Sequence, residues 1–167
     1  ALFDSRISDF YHWVIPKEDY SVVGVTAPWG QSAKTGMALL LDSMHERGMD
    51  YANCIHEEGT FLRRPGGPRE VILGKEGQNI FLVGEAAGFI SPSSAEGISY
   101  ALRSALCLGR GLLYSGEDRW MEAYRKQSAS LRKSIGRKVL KLPAMYQPFL
   151  RRMAVKSGCF SIQVESQ

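Results

Sequence analysis

One segment, residues 80–104, constrains the fold of this chain more than any other. It begins with four apolar residues, Ile80 to Val83, which suit a short strand buried on both faces. Gly84 follows, and then a loop of mostly small residues that includes Pro92. From Glu96 onward the apolar residues recur at the spacing of one helix face. They are Ile98, Ala101, Leu102, Ala105, Leu106 and Leu112. The sequence therefore predicts a buried strand, a tight loop and a helix in direct succession.

The loop between this strand and this helix could accommodate a ligand that carries negative charge. Small side chains allow a flat or phosphorylated ligand to approach the backbone closely. The start of the helix presents N–H groups that have no partner within the helix, and these favour anions. An ordinary strand-to-helix turn has similar spacing, because short glycine patterns often occur by chance. Spacing alone leaves both interpretations open.

The order of residues in the loop resembles the second FAD fingerprint of the p-hydroxybenzoate-hydroxylase-like flavoproteins, and most closely that of the geranylgeranyl reductase family. The family pattern reads Gly-Asp-Ala-Ala-Gly, then a proline, then Gly/Ala-Glu-Gly-Ile. Glu85 departs from it, because the family has an aspartate there whose carboxylate binds a ribityl hydroxyl of FAD. The extra methylene group keeps the carboxylate but moves it. The cofactor-binding residues that the resemblance implies are Gly84, Glu85, Ala86, Ala87, Gly88, Pro92, Glu96, Gly97 and Ile98.

A second motif lies near the start of the chain. Alternation at period two places Tyr11, Trp13 and Ile15 on one face of a strand that Pro16 ends. Two aromatic side chains on one face are typical either of the core of a half-buried sheet or of an apolar pocket wall. The stretch resembles the Tyr-x-Trp-x-Phe-Pro motif that lines the prenyl pocket of geranylgeranyl reductases. It also resembles the Trp-x-Trp-x-Ile-Pro motif of flavin halogenases. Either resemblance implies that these four residues contact the substrate.

The resemblance implies an FAD-dependent oxidoreductase that reduces carbon–carbon double bonds of a prenyl or isoprenoid substrate by hydride transfer from reduced flavin. NADPH or a reduced ferredoxin would be the electron donor. One alternative is a flavin-dependent monooxygenase or halogenase, which Ile15 and Pro16 favour and Tyr11 disfavours. Another is a non-catalytic domain that binds no flavin. No catalytic residue is assigned, because Tyr11 and water are both candidates for the proton donor.

No Gly-x-Gly-x-x-Gly motif occurs in the chain. That motif grips the FAD pyrophosphate in nucleotide-binding folds, and in the resembling family it lies near the N-terminus. We therefore expect a C-terminal fragment that is inactive in isolation and has the N-terminal remainder of the same polypeptide as a partner. Residues 1–70 are expected to belong to a substrate-binding domain and residues 71–115 to the end of an FAD-binding domain. Residues 116–167 would form a basic helical segment.

The expected fold class is α+β. It comprises a substrate-domain β-sheet, the returning strand and helix of an FAD-binding α/β domain, and the C-terminal helices. We predict a hairpin of strands near residues 10–15 and 21–25, a helix from Ser32 to Gly48, and a strand near residues 55–62. A second hairpin is predicted to pair residues 71–73 with residues 80–83. A long helix is predicted for residues 119–143 and a short helix for residues 147–155.

The net charge of +4 is concentrated towards the C-terminus. No acidic residue lies between Tyr124 and Val164, where basic residues alternate with apolar ones at helical spacing. Such a segment is typical of a solvated outer face over a core stripe, or of a helix that docks on an anionic membrane surface. Residues 124–156 are therefore a candidate for peripheral membrane contact. Nothing resembles a nucleic-acid recognition motif, so no nucleic-acid partner is expected.

The cysteines and histidines form no metal-ligand or redox spacing. The three cysteines are Cys54, Cys107 and Cys159, and their wide separation favours reduced thiols in a cytoplasmic protein. We find no signal peptide and no apolar run long enough to span a bilayer. The expected location is the cytoplasm, with contact at a membrane surface left open.

Overall fold

The computed structural model of this chain describes residues 1–8, 10–51, 53–75, 77–78, 80–115 and 119–157. It combines α-helices with two small antiparallel sheets, which confirms the α+β class in its coarse sense. The chain divides into two compact units. Residues 1–59 and 144–167 form one, here called the hairpin unit, and residues 60–143 form the other, here called the loop unit.

The helices and strands follow one another in a mixed order along the chain. They are β1 (Trp13–Pro16), β2 (Ser21–Gly24), α1 (Ala33–His45), β3 (Gly74–Lys75), β4 (Ile80–Phe81), α2 (Ile98–Ser115), α3 (Trp120–Gln127), α4 (Ala129–Val139), α5 (Leu142–Tyr146) and α6 (Pro148–Lys156). Two short 3-10 helices, Pro68–Glu70 and Gly84–Ala87, lie in the loop unit.

The first predicted hairpin is confirmed in the hairpin unit. Strands β1 and β2 pair antiparallel, with Trp13 opposite Gly24 and Pro16 opposite Ser21. The Lys17 N–H donates to the Tyr20 carbonyl at 2.8 Å and closes the turn. Strand β1 begins at residue 13, so residues 10–12 lie outside the paired strand.

The predicted bounds of the first helix are also confirmed. Ser32 is the N-cap of α1, and its hydroxyl accepts a hydrogen bond from the Thr35 N–H at 3.3 Å. Gly48 has a φ of +78°, the left-handed conformation that glycine adopts at helix ends. The helix buries Leu40 and Met44 against Ile7, and these three residues form the core of the hairpin unit.

The predicted strand at residues 55–62 is wrong. No regular structure covers this stretch in the structure. Ile55 is 76% exposed and Phe61 is 85% exposed. A strand forms only when a neighbouring strand satisfies its backbone groups, and the described residues provide none here.

A second hairpin exists, but its first strand is Gly74–Lys75 rather than residues 71–73, and the expectation of a strand buried on both faces is wrong. Strand β4 covers only Ile80–Phe81, and both of its residues are exposed. It pairs with β3, and the ladder continues where the Leu82 N–H donates to the Leu73 carbonyl at 3.0 Å. In the described part of the chain this sheet has two strands, and the β4 residues Ile80 and Phe81 are 45% and 37% exposed.

The single long helix predicted for residues 119–143 is interrupted at Ser128. Helix α3 ends there and α4 begins, and the Ser128 hydroxyl donates to the Tyr124 carbonyl at 2.7 Å. The short predicted helix near residues 147–155 is present as α6. The core of the loop unit lies between α2, α3, α4 and the loop after β4. Its buried members are Leu73, Ala87, Phe89, Tyr100, Trp120, Tyr124, Leu131 and Ile135.

No described helix is both long enough and apolar enough to cross a membrane.

Candidate functional site

The loop that follows β4 is held in shape by its own backbone. The 3-10 helix at residues 84–87 ends at Gly88, and both Gly84 (φ +57°) and Gly88 (φ +82°) have positive φ. The Phe89 N–H donates to the Gly84 carbonyl and the Gly88 N–H donates to the Glu85 carbonyl, each at 2.8 Å. Left-handed backbone costs other L-residues energy, so the fold itself requires glycine at residues 84 and 88.

Helix α2 fixes the start of this loop from the other side. The Gly84 N–H donates to the Ser104 hydroxyl at 2.9 Å, and that hydroxyl donates to the Ala101 carbonyl at 3.0 Å. A Cβ on Gly84 would lie 3.1 Å from the Cβ of Ala101. A Cβ on Gly88 would lie 3.4 Å from the Glu70 carbonyl oxygen. Internal packing therefore adds to the requirement for glycine at residue 84, whereas the distance at Gly88 is an ordinary van der Waals contact and only its positive φ favours glycine.

The second half of the loop closes on a buried serine. The Ser91 side chain is 0% exposed, and its hydroxyl accepts a hydrogen bond from the Ser94 hydroxyl at 2.8 Å. The Ser91 N–H donates to the Glu96 carbonyl at 2.9 Å. Pro92 is buried, and its carbonyl accepts a hydrogen bond from the Arg64 guanidinium at 3.2 Å. Sequence reasoning missed Ser91, Ser104 and Arg64, because their partners could not be read from a linear motif.

Glu96 caps the helix in this structure. Its Oε1 accepts a hydrogen bond from the Ser99 N–H at 3.1 Å, and its Oε2 lies 3.7 Å from the Lys138 Nζ. A carboxylate at a helix N-terminus satisfies a backbone donor and is favoured by the helix dipole. Glu96 therefore has a structural role in addition to the cofactor role that the resemblance implies.

Besides Glu96, which is exposed but caps the helix, four of the nine implied cofactor residues are accessible. The side chains of Glu85 and Ala86 are exposed, and Ile98 is 80% exposed. A Cβ on Gly97 would meet only Ile90 within 4 Å, and at 3.8 Å. We call residues 85, 86, 97 and 98 the open rim. In contrast, Ala87 is 1% exposed and belongs to the core.

The open rim fits the chemistry of a flavin nucleotide. Glu85 offers a carboxylate to a hydroxyl donor, and the backbone at Gly97 can be approached closely without displacing core atoms. The first turn of α2 supplies backbone N–H groups and the positive end of an 18-residue helix. The buried residues Gly84, Ala87 and Pro92 would support this surface from beneath.

The implied substrate residues lie in the other unit, within an aromatic cluster. Tyr11 stacks on Phe10 with ring centroids 4.5 Å apart, and it meets Phe3 and Trp13 edge-on at 6.3 Å and 6.2 Å. The Trp13 indole lies over Gly24, where a Cβ would overlap the ring. Tyr11 and Trp13 are each partly buried. Both interpretations made from sequence, core packing and pocket wall, are compatible with this arrangement.

The last two residues of the motif do not share this environment. Ile15 is 45% exposed and Pro16 is exposed at the end of β1. The alternation predicted from sequence holds for Trp13 and Ile15 within β1, and Tyr11, which lies before that strand, contacts the Trp13 ring. Burial raises the pKa of Tyr11, so its hydroxyl keeps its proton at neutral pH.

A buried histidine lies beside this motif. The His12 side chain is 0% exposed, and neither ring nitrogen has a hydrogen-bond partner among the described residues. Its backbone exchanges two hydrogen bonds with Leu2, at 2.7 Å and 2.8 Å, which hold the ring in place. Burial lowers the pKa of His12, and nearby Asp4 opposes that shift. His12 is therefore neutral at physiological pH.

Other candidate ligands contribute little. No described group of three or more His, Cys, Asp or Glu residues could hold a metal ion. Cys54 and Cys107 are free thiols, in agreement with the prediction, and Cys159 lies outside the described residues.

The basic C-terminal region carries exposed cations on α4 and on α6, where they include Arg152 and Lys156. On α4 and just after it, Lys133, Arg137 and Lys141 are exposed beside Leu140, which is 81% exposed. On α6, Phe149 and Met153 are exposed, at 72% and 54%. The inner face of α4 packs into the core of the loop unit, as the stripe of apolar residues predicted.

Comparison with known proteins gives relatives but no family model. No protein-family model matches the chain, and no solved structure matches it. Curated proteins named "Protein CbrA" are similar: the one from Escherichia coli O6:H1 is 35% identical over 158 residues, which is 95% of this chain and 42% of the relative. The one from Shigella sonnei is 34% identical over 95% of this chain and 44% of the relative. The chain thus spans less than half the length of the curated relatives it matches.

Proposed function

We propose that this chain contributes the flavin-facing loop and part of the substrate pocket to an FAD-dependent oxidoreductase that reduces carbon–carbon double bonds of a prenyl substrate. The observation that carries the proposal is the open rim. The loop is closed by internal hydrogen bonds, yet it leaves an exposed carboxylate at Glu85 and uncrowded backbone at Gly97. A site in which folding contacts are already satisfied can bind a ligand without rearranging.

Glu85, Gly97 and the N-terminus of α2 would have separate roles in binding the flavin. The Glu85 carboxylate would accept a hydrogen bond from a ribityl hydroxyl, and the Gly97 backbone would lie against the ring system. The N-terminus of α2 would stabilise negative charge on the reduced cofactor. When bound and reduced, FAD would supply a hydride; NADPH or a reduced ferredoxin would be the source of its electrons.

The aromatic residues of the hairpin unit would position the substrate. An isolated double bond is a poor hydride acceptor, so orientation must supply much of the rate enhancement. Tyr11 and Trp13 are rigid, partly buried rings suited to an apolar chain. The proton that the second alkene carbon requires would come from the Tyr11 hydroxyl or from water.

Binding of FAD by the isolated chain is the first test. The chain lacks the glycine-rich motif that grips a pyrophosphate, so we expect weak binding, with a Kd no tighter than about 1 μM. Fluorescence titration with FAD measures it, and Glu85→Gln should weaken it further. An exposed carboxylate elsewhere in the unit, Glu122, gives the control Glu122→Gln. Equal effects of the two substitutions would remove Glu85 from the site.

The reaction itself needs the longer protein. A full-length relative from Escherichia coli, reduced without oxygen and mixed with a prenyl alcohol, should reoxidise its flavin and yield the saturated product. A monooxygenase or halogenase would instead require oxygen for rapid reoxidation. Protein purified without flavin, and unable to take it up, would support the non-catalytic alternative and overturn the proposal.

We also propose that the basic surface of α4 contacts anionic lipid at a membrane surface. Lys133, Arg137 and Lys141 flank the exposed Leu140, an arrangement that suits headgroup contact with shallow apolar insertion. Sedimentation with vesicles of mixed neutral and anionic lipid should retain the chain at low salt. Replacing the three cations by glutamine should release it, whereas retention of that variant would contradict the proposal.

A further inference from the structure

The outer side of helix α2 carries an apolar surface that nothing in the described chain covers. Leu102 is 65% exposed, Leu106 is 60% exposed and Leu113 is 82% exposed. Ala105 is also exposed, and a Cβ on Gly109 would meet no atom within 4 Å. With 3.6 residues per turn, these five positions fall within an arc of about 100°. We call them the α2 stripe.

The opposite side of the same helix is already buried. The Tyr100 hydroxyl is hydrogen-bonded to the Ser134 hydroxyl at 2.9 Å, and Gly111 lets α3 approach so closely that a Cβ would lie 3.2 Å from the Tyr124 N–H nitrogen. The α2 stripe is therefore additional to the face that α2 needs for its own unit. A helix that is apolar on both sides is typical of a helix enclosed between two layers.

Polar residues mark the edge of the stripe. Ser99, Arg103 and Arg110 are exposed and follow one another along one side of it. An apolar centre with a charged margin is the pattern of a specific packing surface. Three leucines left in water along one helix would otherwise favour aggregation.

We propose that the α2 stripe packs against the remaining part of the longer polypeptide that the curated relatives contain. The matched 158 residues are 42% of the Escherichia coli O6:H1 relative, so more than half of that protein is available to cover the helix. Exposed Ile98 of the open rim continues the stripe on the same face of α2, but Leu102 and Leu106 lie outside the open rim, so substituting them tests this proposal separately from flavin binding.

Thermal unfolding of two proteins tests whether the rest of the longer polypeptide covers the α2 stripe. In the present chain, Leu102→Gln with Leu106→Gln should change the Tm by no more than about 2 °C, because both side chains are largely in water. In the full-length relative, glutamine at the two aligned positions should lower the Tm by at least about 5 °C, because the side chains there would be buried against the rest of the polypeptide. Arg103→Gln, on the polar edge, is the control and should leave both proteins unchanged.

A single alanine substitution and a sedimentation measurement extend this test. If the double variant of the relative does not fold, alanine at the position aligned with Leu106 should still lower its Tm by several degrees. A loss in the relative no larger than in the present chain would overturn the proposal. So would sedimentation showing that the present chain forms a dimer that the double variant disperses, because a second copy would then be the occupant.

Discussion

The loop unit and the hairpin unit place their candidate ligand residues in different structural contexts. In the loop unit, buried residues stabilise the fold, since Gly84 and Ser104 fix the backbone by a hydrogen bond. The Glu85 side chain is exposed, and a Cβ on Gly97 would meet only Ile90 within 4 Å. In the hairpin unit, Tyr11 and Trp13 are themselves packing residues, tied to each other and to neighbouring rings. Fold and ligand contact can therefore be separated by substitution in the first unit, but they overlap in the second.

The largest loss of stability is expected when an aromatic side chain of the core, next to the open rim, is removed. Removal of an aromatic side chain of the substrate motif should cost less. Phe89 is 0% exposed, so Phe89→Ala should lower the free energy of unfolding by about 3–5 kcal/mol. Trp13 is only partly buried, and Trp13→Ala should cost about half as much. Urea unfolding measures both. A cost for Trp13→Ala equal to that for Phe89→Ala would identify the motif aromatic as a core residue and weaken its assignment to a pocket wall.

A smaller loss is expected at the first glycine of the loop. Gly84→Ala places a Cβ on left-handed backbone, 3.1 Å from the Cβ of Ala101. It should therefore lower the free energy of unfolding by about 1–2 kcal/mol. Ala101→Gly in the same chain removes the atom in contact but not the backbone strain. Because Ala101→Gly itself weakens α2 by about 1 kcal/mol, the cost of Gly84→Ala is measured in the Ala101→Gly background. Part of that cost should remain there, and its complete disappearance would show that packing alone, rather than the positive φ, demands glycine at residue 84.

An effect of about 1 kcal/mol, in the opposite direction, is expected at His12. Its ring nitrogens are buried with no hydrogen-bond partner among the described residues, so His12→Leu should stabilise the hairpin unit by about 1 kcal/mol at neutral pH. Because burial lowers the pKa of His12, the unfolded chain takes up the proton first as the pH falls. The stability contribution of neutral His12 is therefore fully present above pH 6.5, the ordinary pKa of histidine, and decreases as the pH falls below it. The His12→Leu variant should lose less stability between pH 7 and pH 5 than the parent chain, and parallel pH profiles would contradict this.

Local signals in the sequence predicted more of the fold than signals that depend on distant partners. Ser32 and Gly48 were correctly assigned as the ends of α1, since capping depends on neighbours within one turn. The strand at residues 55–62 was wrong, because alternation describes a strand but cannot supply a partner. The support that Ser104 gives to Gly84 spans 20 residues, and no linear pattern announces it. The loop motif located a candidate site, but only coordinates distinguished its structural glycines from Gly97.

The smallest effect on stability, and the sharpest separation of fold from ligand, is expected at Gly97. A Cβ there meets only Ile90 at 3.8 Å, and Gly97 lies just before α2, where leucine is a poorer N-terminal cap than glycine, so Gly97→Leu should lower the free energy of unfolding by no more than about 1 kcal/mol. If the ring system of FAD lies against this backbone, the same side chain should weaken FAD binding by about tenfold, or 1.4 kcal/mol. Gly109→Leu, within α2, is the control, because no atom lies within 4 Å of its Cβ position. FAD titration and urea unfolding should show that both variants fold and that their affinities for FAD differ. Equal affinities would mean that Gly97 faces water rather than cofactor, and the loop would then be an ordinary strand-to-helix connection.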